Sequence, residues 1–223
     1  LFYGTIQSAL FTLLAVYATS MNFTILEISI VTFLLAISGA IAQFPIGKLS
    51  DVYDRRKVIV FSTFGAATFS ILAMLVSRQM YLPDGLATSK TWFYIFFILF
   101  SFCSLPMFSL ILAHTNDYIP KEKFVAAGAG LQFVFGLGAM SGPFLCSILM
   151  DIIGSNGFFI FLFLFHFIIG IFGIHRMRVR KTVDNPDSQF VAMPQTITPA
   201  GIELNPTTEP IEEPVKEENK YPR

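Results

Sequence analysis

Six stretches without a single Lys, Arg, Asp or Glu divide this chain, at residues 1–26, 28–47, 58–77, 91–116, 124–150 and 152–175. An α-helix rises about 1.5 Å per residue and a bilayer's hydrocarbon core is about 30 Å thick, so each stretch is long enough to cross a membrane. The runs are apolar nearly all round, whereas a soluble bundle of this size would carry charged stripes at helical spacing. With 26 phenylalanines and 54% apolar residues, the composition points the same way. The sequence therefore predicts an all-α integral membrane domain over 1–181, with spans at about 1–20, 28–46, 58–77, 92–113, 125–148 and 157–174.

Lys48, Arg55, Arg56, Lys57, Lys121, Lys123, Arg176, Arg178, Arg180 and Lys181 fall at one end of the predicted spans, and only Arg78 and Lys90 at the other. Short loops rich in Lys and Arg stay in the cytoplasm during insertion, so both chain ends and the loop around Asp51 are expected there. That topology suits a bacterial inner membrane. Trp92 then sits at the outer boundary, where an indole keeps one wet edge. The first run begins at Leu1 with no basic flank and is too long for a signal peptide, so Leu1 reads as a cut point within a longer protein.

The formal charge of zero is a cancellation between basic loops and an acidic tail. Residues 182–223 hold Asp184, Asp187, Glu203, Glu209, Glu212, Glu213, Glu217 and Glu218, interrupted by Pro186, Pro194, Pro199, Pro206, Pro210, Pro214 and Pro222. Such a segment lacks both helix continuity and apolar surface, and is expected to be a disordered cytoplasmic extension, either solubilising or partner-binding. Cys103 and Cys146 fall inside spans as small apolar residues, with no metal or disulfide framework around them. No motif calls for a cofactor, and partners are expected to be lipid and a small solute rather than nucleic acid.

Between the second and third runs lies Gly47-Lys48-Leu49-Ser50-Asp51-Val52-Tyr53-Asp54-Arg55-Arg56-Lys57, expected as a tight charged hairpin. Gly47 lets a neighbouring helix approach, Asp51 presents a carboxylate that favours a helix N-terminus, and Arg55 and Arg56 can hold that carboxylate by charge-assisted hydrogen bonds. Gln43, Pro45, Gly47, Leu49, Ser50, Asp51, Asp54, Arg55, Arg56 and Lys57 together resemble the signature loop of the major facilitator superfamily, which joins the second and third helices of each six-helix half. The end of the fourth span at Asn116 and Asp117, the glycine-rich fifth span and the basic exit after the sixth also look like the second half of uncharacterised bacterial members. Val52 stands where the pattern has a basic residue and Asp54 where it has Gly. Such departures are common in the second-half copy, while a tail that is really the central loop would make this the first half.

The resemblance implies one half of that fold, two inverted three-helix repeats, in a secondary transporter working by alternating access with an N-terminal six-helix half of the same protein. It also implies that Gly47, Asp51, Asp54, Arg55, Arg56 and Lys57 latch the two halves on the cytoplasmic side. The first and fourth helices line the cavity in this family, so Tyr3, Gln7, Ser8, Thr12 and Tyr17, with Ser101, Ser104 and Ser109, are candidates for solute contact. Gln7 stands first, because a primary amide in hydrocarbon must find a partner.

Gly138, Gly142 and Pro143 read as either tight packing or a flexing helix. The Gly138–Pro143 stretch resembles a glycine motif of antiporters, but Cys146 and Ser147 replace its later glycines, so antiport is not inferred. No carboxylate falls at a midplane. His166 is expected as a neutral packed residue rather than a proton carrier, and His114 with Asp117 is a weak metal pair. Pro106 can bend the fourth helix. The residues leave two other classes: a six-helix scaffold using the acidic tail, and an intramembrane enzyme, for which no nucleophile and base constellation exists. The expectation is therefore that the chain is not an enzyme.

Overall fold

The protein is described from a computed structural model covering residues 1–79, 86–120 and 123–179, together with Phe190 and Ala192. The tail expected over 182–223 otherwise lies outside the described residues, as do Lys121, Arg180 and Lys181. The described residues form seven helices and no strand: α1 (Phe2–Ser20), α2 (Ile25–Val52), α3 (Arg55–Gln79), α4 (Leu86–Ser104), α5 (Met107–Asn116), α6 (Phe124–Ile153) and α7 (Gly157–Val179). With α4 and α5 as one interrupted crossing, 6 segments are long and apolar enough to span a membrane.

Local signals set several boundaries. Thr24 and Glu27 form a reciprocal capping box at the start of α2, two residues on from Asn22, which turns the chain with a φ of 58°. Gly154, at φ 81°, ends α6. The hairpin expected over Gly47–Lys57 is mostly helix: α2 runs through Pro45 to Val52, and only Tyr53 and Asp54 separate it from α3. Nothing between Gly47 and Val52 breaks a helix, and a continuous ladder satisfies the backbone better than a loop.

The helices pack in pairs that repeat. α1 lies against α6 as α4 lies against α2, α3 lies against α4 as α7 lies against α1, and α3 packs on α7. Exchanging the first three crossings for the last three maps this set onto itself, which is the arrangement of two inverted repeats. Two apolar clusters stack along the bundle. The larger includes Tyr17, Phe93, Phe97, Phe158 and Phe159, toward the end where Glu27 pairs with Lys90. The smaller includes Tyr3, Ala42, Ile46, Met107 and Phe108, toward the Asp51 end.

Helices α1 and α6 meet backbone to backbone. A Cβ added at Gly138 would overlap the Leu1 carbonyl, one at Gly142 the Thr5 carbonyl and Ser8 Oγ, and one at Gly4 the Phe135 carbonyl. These glycines therefore serve backbone-to-backbone packing, and α6 continues unbroken through Pro143.

The fourth crossing, expected as one bent helix over 92–113, is two helices parted at Leu105 and Pro106. Proline has no N–H to continue the ladder, and a break within lipid must find other partners for its carbonyls. The buried Tyr3 hydroxyl supplies one, lying 3.1 Å from both the Ser104 and the Leu105 carbonyl oxygens. Tyr3→Phe leaves those acceptors short of a donor in a dry site, and is expected to lower stability by about 1–2 kcal/mol. Thermal unfolding in detergent, followed by size-exclusion chromatography, checks this; an unchanged midpoint would show that the break is satisfied elsewhere.

Candidate functional site

At the junction of α2, α3 and α5, Arg55 is 7% exposed and reaches two carboxylates: Asp117 Oδ1 at 2.9 Å and Asp51 Oδ1 at 3.2 Å. Asp117 caps the C-terminal end of α5, where the helix dipole disfavours negative charge, so the guanidinium offsets an otherwise unfavourable placement. Arg55 thus ties the α2–α3 turn to the end of α5. Sequence reasoning placed Asp117 at the correct end but did not pair it with Arg55.

Arg56 does not hold Asp51. Its guanidinium pairs with Asp54 at 3.2 Å, and its backbone N–H donates to Asp54 Oδ1 at 3.0 Å, which makes Asp54 the cap of α3. Burial pushes the Asp54 carboxyl upward, but the hydrogen bonds and charge of Arg56 outweigh it and hold the group below its ordinary value. Lys57 points into the open, while Gly47 is buried and Ser50 bonds back to the Gly47 carbonyl at 2.8 Å. The Asp51 side chain is 36% exposed. It is the one carboxylate of this cluster left accessible to something docking on the end of α2.

The interior candidates divide by what they touch. Ser101 donates to the Leu35 carbonyl at 2.7 Å, linking α4 to α2, and Ser104 lies 3.0 Å from His166 Nε2, linking α4 to α7. His166 Nδ1 lies 2.7 Å from the Leu162 carbonyl, so both ring nitrogens have partners. Ser109 donates to Gln43 Oε1 at 3.2 Å. With Tyr3 at the α4–α5 break, these groups are hydrogen-bonded to neighbouring helices. The physical reason is that a hydroxyl in an apolar bundle satisfies itself on the nearest carbonyl. Ser8 bonds to the Thr5 carbonyl at 3.3 Å, and Thr12 is exposed on α1. Tyr17 is enclosed by Phe158 and Phe159, at ring separations of 5.1 and 5.0 Å.

Gln7 lies on the same helix. It is 2% exposed, yet neither its amide nitrogen nor its amide oxygen has a hydrogen-bond partner among the described residues. His114 Nδ1 stands 3.9 Å from Asp117 Oδ2, at the far side of a carboxylate already engaged by Arg55.

A six-span, pseudo-symmetric helical half with a charged cluster at one end defines a class of multi-pass integral membrane protein. The family model of the Major Facilitator Superfamily matches residues 1–213, and the chain belongs to that family. Among curated proteins it is similar to the uncharacterised MFS-type transporter YfkF of Bacillus subtilis, 28% identical over 63% of this chain and 33% of YfkF. It also matches YE1530 of Yersinia enterocolitica, an uncharacterised MFS-type transporter, at 24% identity over 85% of this chain and 44% of that protein. A third similar protein is MJ1560 of Methanocaldococcus jannaschii, 28% identical over 64% of this chain and 34% of its own length. The chain spans between a third and under half of the length of these relatives. No solved structure matches it significantly.

Proposed function

We propose that this chain is one half of a secondary transporter that moves a small solute by alternating access, and that it performs no chemistry on that solute. The family and the names of its relatives support transport. In this reading the chain is the C-terminal half, both ends face the cytoplasm, the membrane is a bacterial inner membrane, and an N-terminal six-helix half of the same protein completes the site.

The observation that carries the reading is the state of α2 and α6. They are long, apolar helices, yet they keep large side chains uncovered: Phe33, Ile41 and Phe44 on α2, and Phe133, Met140 and Phe144 on α6. Lipid covers some of that surface and a companion half the rest. Asp51 lies at the end of α2, within reach of a docking helix terminus, where such a contact contributes about 0.3–1 kcal/mol in exposed settings and more when partly buried. Contact when the transporter opens outward, and loss of contact when it opens inward, would make Gly47 and Asp51 a latch.

Asp51→Asn in the full-length protein is expected to lower proteoliposome uptake, screened across a solute library, on the order of fivefold, the equivalent of losing about 1 kcal/mol. Maleimide labelling of a cysteine at Thr12 should shift from the outer to the inner side in the same variant. Unchanged uptake together with unchanged labelling from both sides would remove the latch.

Gln7 is the residue of this half best placed to meet a polar solute. Burying an amide without partners is unfavourable, so Gln7→Leu should hold or raise the thermal midpoint. If the amide contacts solute, the same change should raise KM by about tenfold. A lowered midpoint with KM unchanged would assign Gln7 to packing.

A further inference from the structure

Phe190 stands 139 residues beyond Asp51 in the chain, yet its backbone N–H donates to Asp51 Oδ1 at 2.8 Å. Its ring covers Gly47 so closely that a Cβ there would overlap the ring carbons, and it packs onto the apolar cluster holding Ile46, Met107 and Phe108. Gly47 and Asp51 are one helical turn apart and so share a face of α2. One residue therefore uses both features of that face, the bare backbone with its ring and the carboxylate with its N–H. A phenylalanine settling on any greasy patch would need only the first. The second is directional, and it brings a polar donor to Asp51 Oδ1, the same carboxylate oxygen that Arg55 engages at 3.2 Å.

From this we infer that the Gly47–Asp51 face of α2 is a docking site for the chain's own Phe190. The regulatory consequence, though not the contact itself, rests on the latch proposed above. A helix terminus of the companion half needs the same bare backbone and the same carboxylate, so it and Phe190 exclude one another. With Phe190 seated, the latch is open and the inward-facing state is held. Seated Phe190 acts as a brake on return to the outward state, and its release is a point at which transport can be regulated.

The test uses the full-length protein in membranes, with Phe190→p-benzoylphenylalanine irradiated and the adducts mapped by mass spectrometry. Adducts on α2 within one turn of Gly47 are expected. Adducts elsewhere, none at all, or adducts joining two copies of the chain would overturn the docking. Gly47→Ala places a methyl group where the ring lies, so the ring must shift off this face, and the α2 adduct should fall on the order of fivefold. Asp51→Ala, which removes the acceptor, provides the same measurement should Gly47→Ala fail to accumulate. An undiminished yield in an accumulating variant would overturn the site. The adduct map requires no transport assay, so failure of the docking and failure of the latch are told apart.

Discussion

Gly142→Leu is expected to be the most damaging single change in the described bundle, lowering stability by about 3 kcal/mol or more and preventing accumulation of monodisperse protein in detergent. A Cβ at this position meets the Thr5 carbonyl and Ser8 Oγ, and the carbonyl belongs to the backbone of α1, so no rotamer change can relieve the overlap. α1 itself would have to move. It is held near its start by Tyr3 on the α4–α5 break and by Thr5, 3.5 Å from Ser141, and near its end by Ser20 on Ser155 at 2.7 Å. Gly130 and Gly136 lie on the same helix with nothing within 4 Å of an added Cβ. Gly130→Ala and Gly136→Ala should therefore be neutral or stabilise by up to about 1 kcal/mol, alanine being the better helix former. Fluorescence-detected size exclusion after a heating series compares the two classes. Equal losses at Gly142 and Gly136 would show that flexibility, rather than close approach, is what these glycines supply.

Arg55→Ala is expected to follow closely, with a loss of about 3 kcal/mol, because it leaves Asp117 partly buried against the negative end of α5 with its cation gone. The penalty lies in the stranded carboxylate more than in the lost attraction. Adding Asp117→Asn should therefore recover part of it, with a coupling of about 1–2 kcal/mol in the double-mutant cycle. Arg55→Lys keeps the charge but cannot bridge two carboxylates with one planar fork, and should fall between Arg55→Ala and the parent. Thermal midpoints of the four cycle members decide the matter. Strict additivity would mean that Arg55 stabilises the turn through Asp51 alone.

Much of the membrane architecture was legible in the residues because hydropathy is additive along a segment and needs no knowledge of neighbours. The charge of Glu27 made the second span look as though it began at 28, while the capping box of Thr24 and Glu27 starts the helix at Ile25. The charges at Lys48 and Asp51 made the helix seem to end early, although helix geometry tolerates charge once the chain leaves hydrocarbon. The site was less legible. Gly47, Asp51 and Arg55 were singled out from spacing, but the pairing of Arg55 with Asp117, 62 residues away, depends on where α5 ends after Pro106 breaks the crossing. A sequence shows the hydroxyls of Ser101, Ser104 and Tyr3 but not the partners beside them, which are the Leu35 carbonyl, His166 Nε2 and the Ser104 and Leu105 carbonyls.

By itself, then, the sequence determined the number of crossings, their helical nature and the end at which the cations gather. Those follow from segment length and from the need of a backbone in lipid to bond to itself. Tertiary structure alone decided that α1 and α6 meet backbone to backbone, that Gln7 is buried without a partner among the described residues, and that Phe190 covers Gly47 and Asp51. Each of those depends on contacts between distant segments, whose distances packing sets and local residue preference does not.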